Sequence, residues 1–143
     1  MGKHFDIGYF KKPVKVRAKV AKKRSVINKI NAWKLGKEYY DGNRLDGYGG
    51  FKYDGRWKKL LPKIIKKYKL TKKSKVLDLG CKKGFLLKDL VELIPGIKTY
   101  GVENHSYAIK KAVKIKSKLI LSEYYSLPFK NKYFDFVIAF NSL

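Results

Sequence analysis

The stretch that most restricts how this chain can fold is Lys75-Val76-Leu77-Asp78-Leu79-Gly80-Cys81-Lys82-Lys83-Gly84-Phe85. A short apolar run closes on an acid, passes through a loop with two glycines, and opens into Phe85-Leu86-Leu87-Lys88-Asp89-Leu90-Val91-Glu92-Leu93. The first part reads as a buried strand, and the last carries apolar residues at helical spacing. Strand, tight glycine loop and helix make the first half of a βαβ unit of the nucleotide-binding kind. In such a unit the loop lets a ligand approach bare backbone, and the helix start offers free N–H groups.

The alternation continues downstream. Pro95-Gly96 ends the first helix, and Ile97-Lys98-Thr99-Tyr100-Gly101-Val102-Glu103 reads as a second strand ending in an acid. Ser106 to about Lys116 has the apolar spacing of a helix. Leu119-Ile120-Leu121 is a third strand, and Phe134-Asp135-Phe136-Val137-Ile138-Ala139-Phe140 a fourth. Alternating strands and helices predict an α/β fold with a doubly wound, mostly parallel sheet. Upstream, Trp57, Leu60, Leu61, Ile64, Ile65 and Tyr68 share one helical face opposite Lys58, Lys59, Lys63, Lys66 and Lys67, the pattern of a helix laid on a sheet. Pro62 either occupies its first turn or kinks it.

With 143 residues the chain has room for one domain with a real core, and at 45% hydrophobic content it is expected to fold. Cys81, the single cysteine, excludes an internal disulfide framework and fits a reducing cytosol. No apolar run approaches the ~20 residues needed to cross a bilayer. The start, Met1-Gly2-Lys3-His4-Phe5-Asp6, lacks a secretory core and a myristoylation serine or threonine, so a cytoplasmic location is expected. The net charge of +24 points toward an anionic partner, nucleic acid or an acidic membrane surface. Yet Lys supplies 31 of the 35 cations and Arg only four. Phosphate and base-edge sites lean on the planar fork of Arg. The joint abundance of Lys, Ile, Asn, Tyr and Phe also fits drift toward AT-rich codons. Generic solvated surface is therefore preferred over a dedicated nucleic-acid face.

Residues 1–56 read as a basic, partly helical N-terminal extension and a Gly/Tyr-rich cap, and 57–143 as the α/β domain. Apolar residues recur irregularly at Val14, Val16, Ala18, Val20 and Ala21. Val26, Ile27, Ile30 and Trp33 then fall at helical spacing, with Ser25 placed to cap. Such a basic amphipathic segment is open to several readings: membrane or RNA contact, a mobile arm, or a helix docked on the domain. In 38–57, three Asp-Gly pairs and Gly49-Gly50 predict successive tight turns with positive φ, lined by Tyr39, Tyr40, Tyr48, Phe51, Tyr53 and Trp57. Asp41, Asn43 and Asp46 do not have calcium-loop spacing, and Lys52 stands where a bidentate Glu belongs. This segment either covers a ligand or packs as a cap.

A nicotinamide-type fingerprint requires G-x-G-x-x-G, which is absent. Asp78, Gly80 and Gly84 instead resemble the acid and G-x-G-x-G of Rossmann-like (class I) S-adenosylmethionine-dependent methyltransferases, with Lys82 in place of the middle glycine. The resemblance runs in register from Val76 to Leu143 and implies sheet order 3-2-1-4, with the later strands of the family missing. It implies that Glu103, 19 positions past Gly84, holds the ribose hydroxyls, two carboxylate oxygens suiting two vicinal donors. It implies that Glu123 reads the adenine amine with Tyr124 giving backbone contact, in a segment followed by Leu127-Pro128-Phe129. By the same resemblance Asn141, just past the fourth strand, is expected near the methyl group. The implied S-adenosyl-L-methionine site thus comprises Asp78, Gly80, Cys81, Gly84, Glu103, Asn104, Glu123, Tyr124 and Asn141. Arg56 is a further candidate, for the cofactor carboxylate. The segment from Tyr48 to Trp57 also looks like one found ahead of this domain in some bacterial members.

The implied reaction is displacement of a methyl group from a sulfonium, mostly a matter of proximity and alignment. A base is needed only if the nucleophile starts protonated. Asn141-Ser142-Leu143 lacks the Pro-Pro-aromatic tail of the adenine-amine enzymes, which argues against base N-methylation. Cys81 reads as a packing residue, His105 as an exposed polar group at a helix start, and Lys82 and Lys83 as exposed. One Cys and two His make no zinc site. The sequence stops just after the fourth strand, leaving an apolar edge and suggesting a fragment of a longer enzyme. The catalytic group, the methyl acceptor and the oligomeric state stay open. A catalytically silent, basic nucleic-acid-binding protein reusing the fold is the alternative.

Overall fold

The computed structural model describes residues 22–140, in two compact units, 22–53 and 54–140. Val14, Val16, Ala18, Val20, Ala21 and His4, with Asn141-Ser142-Leu143, lie outside the described residues.

In the first unit, α1 (Val26–Lys34) starts at Ser25, whose hydroxyl accepts from Asn28 N while the Asn28 side chain accepts from Ser25 N. This is the reciprocal cap that Ser25 promised. Its apolar stripe of Val26, Ile27, Ile30 and Trp33 is exposed. The short α2 (Lys37–Asp41) follows, and Tyr39, Tyr40, Tyr48 and Phe51 pack ring against ring with Tyr40 buried among them. Asp46 ties the loop to α1 by accepting from the Asn28 and Asn31 amides, which hold its carboxyl below the usual range. The expectation of positive φ at every Asp-Gly pair is corrected. Gly49, Gly50 and Gly55 adopt it, whereas Gly42 does not and Gly47 is not among the positive-φ residues. Space is the demand at Gly47, where a Cβ would stand 2.2 Å from the Tyr39 carbonyl oxygen.

In the second unit, residues 54–56, expected in the extension, belong with the sheet. A 3-10 turn, Arg56–Lys59, precedes α3 (Leu61–Tyr68), so the helical face of Trp57 to Tyr68 is split between two elements. Pro62 sits in the first turn of α3, where its missing N–H costs nothing. The fully buried Asp89 accepts from Trp57 N at 3.0 Å and so caps the 3-10 turn from a distant element. Then follow β1 (Lys75–Leu79), α4 (Phe85–Leu93), β2 (Lys98–Glu103), α5 (Ser106–Lys110), β3 (Lys118–Leu121) and β4 (Phe136–Ile138). The helix expected to reach Lys116 ends at Lys110, because Val113 N turns away to the Lys83 carbonyl, leaving the helical ladder.

The four strands form one parallel sheet in the order β3-β2-β1-β4, with Asp78 beside both Gly101 and Ile138. Asp135 sets the β4 register: its carboxylate accepts from Lys75 N at 2.7 Å and its N–H donates to the Lys75 carbonyl. One face carries Val76 and Ile138 under Leu61, Ile64, Leu86, Leu87 and Leu90, with Ile109 packed alongside. The other carries Leu77, Leu79 and Val102 under Tyr100, Tyr124, Phe129 and Phe134. Every described helix of this unit thus packs on the first face. The second is covered by the aromatic connection between β3 and β4.

Candidate functional site

The parallel order puts the carboxyl ends of β1 and β2 side by side, and the glycine loop bridges them. Gly80 and Cys81 both donate backbone N–H groups to the Val102 carbonyl, at 2.8 and 3.0 Å. Gly80, Lys82 and Gly84 all have left-handed φ, 77°, 52° and 78°. Lys82 therefore adopts the backbone form of the glycine it replaces, at a cost of about 1 kcal/mol. Gly84 heads α4.

Glu103 is the hub. Its side chain is almost wholly buried, and its carboxylate joins the loop to β2 by accepting from Lys82 N on Oε2 at 2.9 Å. Oε1 takes Asn104 N at 3.0 Å, His105 N at 3.1 Å and the Tyr124 hydroxyl at 3.2 Å. His105 Nδ1 lies 2.7 Å from the same oxygen, within hydrogen-bond distance. Tyr124 reaches Glu103 because Ser122 N bonds the Glu103 carbonyl and Ser122 Oγ bonds the Ser126 carbonyl, folding 122–126 back over the strand ends. Burial and the Glu103 charge raise the Tyr124 pKa, so its hydroxyl keeps its proton and donates.

Asp78 is buried at the end of β1. Desolvation lifts its carboxyl to about 7, the Lys82 ammonium pulling it down and Glu103 pushing it further up. Cys81 is buried in the core, where its Sγ would stand 2.6 Å from a Cβ built on Gly101. Burial pushes its thiol well up, the opposite of an activated nucleophile, so it packs as expected and any ligand contact is left to its backbone. Asn104 leaves Oδ1 buried without a hydrogen-bond partner among the described residues, an acceptor that a ligand donor would satisfy.

Of the residues singled out in the sequence, Asp78, Gly80, Cys81, Gly84, Glu103, Asn104 and Tyr124 gather at this end of the sheet. Glu123 is exposed in the turn after β3, and Asn141 lies outside the described residues. Arg56 forks onto Asp54, with Nη2 2.6 Å from Oδ2. Two expectations are corrected. Lys83 is buried, its loop tied to the segment after α5 by Val113 N donating to the Lys83 carbonyl, and Lys82 is half-buried. His105 is not a free polar group; it sits at the N-cap position of α5 and its ring lies against the Glu103 carboxylate. The side-chain role of Tyr124 was not visible in the sequence. For His105, its place two residues past an acid at a strand end was the available signal.

A methyltransferase-domain family model matches residues 70–143. Among solved structures, the plantazolicin methyltransferase BpumL in complex with S-adenosylhomocysteine is similar at 20% identity and TM-score 0.54, over 87% of this chain and 50% of that one. At that identity the likeness speaks for the fold alone. A protein described as a methyltransferase of an antibiotic biosynthesis pathway from Anabaena variabilis ATCC 29413 is similar at 25% identity and TM-score 0.50, over 55% of this chain and 32% of that one. The chain spans about a third to a half of the length of these two solved proteins. No curated protein matches it.

Proposed function

The chain belongs to the methyltransferase-domain family, and we propose that it binds S-adenosylmethionine across the ends of β1 and β2 for methyl transfer to an acceptor nucleophile. The observation that carries this reading is the joint held by Glu103: a buried carboxylate at the end of β2 bonded to the backbone of the glycine loop after β1. The residues present fit such a ligand. A carboxylate suits a vicinal diol, the loop turns through left-handed backbone at Gly80, Lys82 and Gly84, and Asn104 Oδ1 has no hydrogen-bond partner among the described residues.

Bound there, S-adenosylmethionine supplies an electrophilic methyl on a sulfonium. That methyl would pass to the nucleophile, with the electron pair of the carbon–sulfur bond left on sulfur. The work of this chain is to hold and orient: Glu103 the ribose, the 80–84 loop the amino-acid end, Glu123 and the Tyr124 backbone the adenine edge. Asp78 places an ionisable carboxyl near the cationic end. No side chain is assigned as base or as a contact to the acceptor.

Calorimetric titration with S-adenosylhomocysteine tests the reading. Saturable binding is expected, weakened at least tenfold by Glu103→Ala, which removes charge-assisted bonds. Gly80→Val, which forces a β-branched side chain into left-handed backbone, should weaken it similarly. Binding that ignores both substitutions would place the ligand elsewhere and sink the proposal.

A further inference from the structure

Resting on the cofactor site just proposed, we infer that the Tyr124 hydroxyl stands in for a ribose hydroxyl on Glu103, so that a diol ligand must displace it and Tyr124 thereby sets the affinity of the site.

The argument is one of lone pairs. A carboxylate oxygen offers about two acceptor positions. Oε1 of Glu103 already faces four groups, the donors Asn104 N, His105 N and the Tyr124 hydroxyl and the ring nitrogen His105 Nδ1, whereas Oε2 faces only Lys82 N among the described residues. A vicinal diol brings two further donors. One finds room on Oε2; the other needs Oε1 to release a partner. The two backbone donors and the imidazole come from residues 104 and 105, fixed to Glu103 by the chain itself. The Tyr124 hydroxyl comes from another segment and makes the longest of the four contacts, 3.2 Å. It is the one that can leave, and with Glu103 only 1% exposed, a ligand cannot reach the carboxylate without such a movement. His105 stays behind as the positioning residue that keeps Oε1 in place.

Titrating the 143-residue chain with S-adenosylhomocysteine and with its 2′,3′-dideoxy analogue decides the matter, using wild type, Tyr124→Phe and Tyr124→Leu. Both hydroxyl-free variants should bind the diol ligand about fivefold more tightly, the worth of one net hydrogen bond no longer broken. Neither should gain for the dideoxy ligand, which has nothing to put in the hydroxyl's place. Thermal unfolding checks that each variant is folded, and the ratio between the two ligands is read within one variant, so a general loss of stability cancels. Unchanged or weaker diol binding by both variants, with wild type binding normally, overturns the displacement and leaves the cofactor site standing. Equal gains for both ligands overturn it too. Absence of diol-dependent binding by wild type removes the cofactor site and this inference together.

Discussion

At the scale of single residues, Asp78 makes the fold and the site depend on pH. Its carboxyl moves from 3.8 in the unfolded chain to about 7 in the folded one, burial being the main cause. The folded state therefore holds this proton more tightly than the unfolded state. The stability linked to it is complete below about pH 4, declines as pH rises toward 7, and is gone above. Asp78→Asn should flatten the denaturation-midpoint profile between about pH 4 and 7. At pH 8 it should exceed wild type by on the order of a few kcal/mol. Because a nearby cation favours the ionised carboxyl, binding of S-adenosylmethionine to wild type should strengthen as pH rises through about 7. A flat affinity profile would show that Asp78 does not face the cationic end. The acid near the end of β1 and the acid that ends β2 were both legible in the sequence as strand-ending carboxylates. Their environments were not, because desolvation depends on what packs around them.

At the scale of elements, two contacts decide how the strands meet. Gly101 in β2 leaves room for the Cys81 side chain and for Leu119 from β3; an added Cβ would stand 2.6 Å from Cys81 Sγ and 2.7 Å from Leu119 Cδ2. Gly101→Ala should therefore destabilise by about 1–3 kcal/mol through overpacking. The denaturant midpoint would move and the slope would not. An unchanged midpoint would mean the loop shifts freely. On the other side, β4 pairs only with β1 among the described residues, and Val137 is half-exposed. An apolar edge of this kind templates pairing between chains. Val137→Lys should lower concentration-dependent association in sedimentation velocity, and no change would clear β4 of blame. The strands and the start of α1 were readable from period and cap. The early end of α5 was not, because nothing in 106–116 reveals that Val113 N has a partner at Lys83.

For the whole molecule the governing quantity is charge. A surplus of +24 on 143 residues repels itself in the compact state. Added salt shortens the reach of that repulsion, from ~30 Å at 0.01 M to ~8 Å at 0.15 M. The melting temperature should accordingly rise over that range at neutral pH. A fall instead would mean that attractive pairs such as Lys58–Glu92 and Lys88–Glu92 outweigh the surplus. No described helix is long and apolar enough to cross a membrane.

What local periodicity encodes by itself is four strands, a glycine loop after the first, acids at two strand ends and a parallel sheet; the order 3-2-1-4 followed from the family resemblance of the motif. Alternation and helical spacing are properties of neighbours in the chain, so they can be read without a structure. Only the tertiary structure decided that Tyr124 and His105 converge on one oxygen of Glu103, that Asp89 caps Trp57, and that Cys81 fills the space above Gly101. Several of these pairs join residues twenty or more positions apart. Their energies come from burial and hydrogen-bond geometry, which do not exist until the sheet has closed over them.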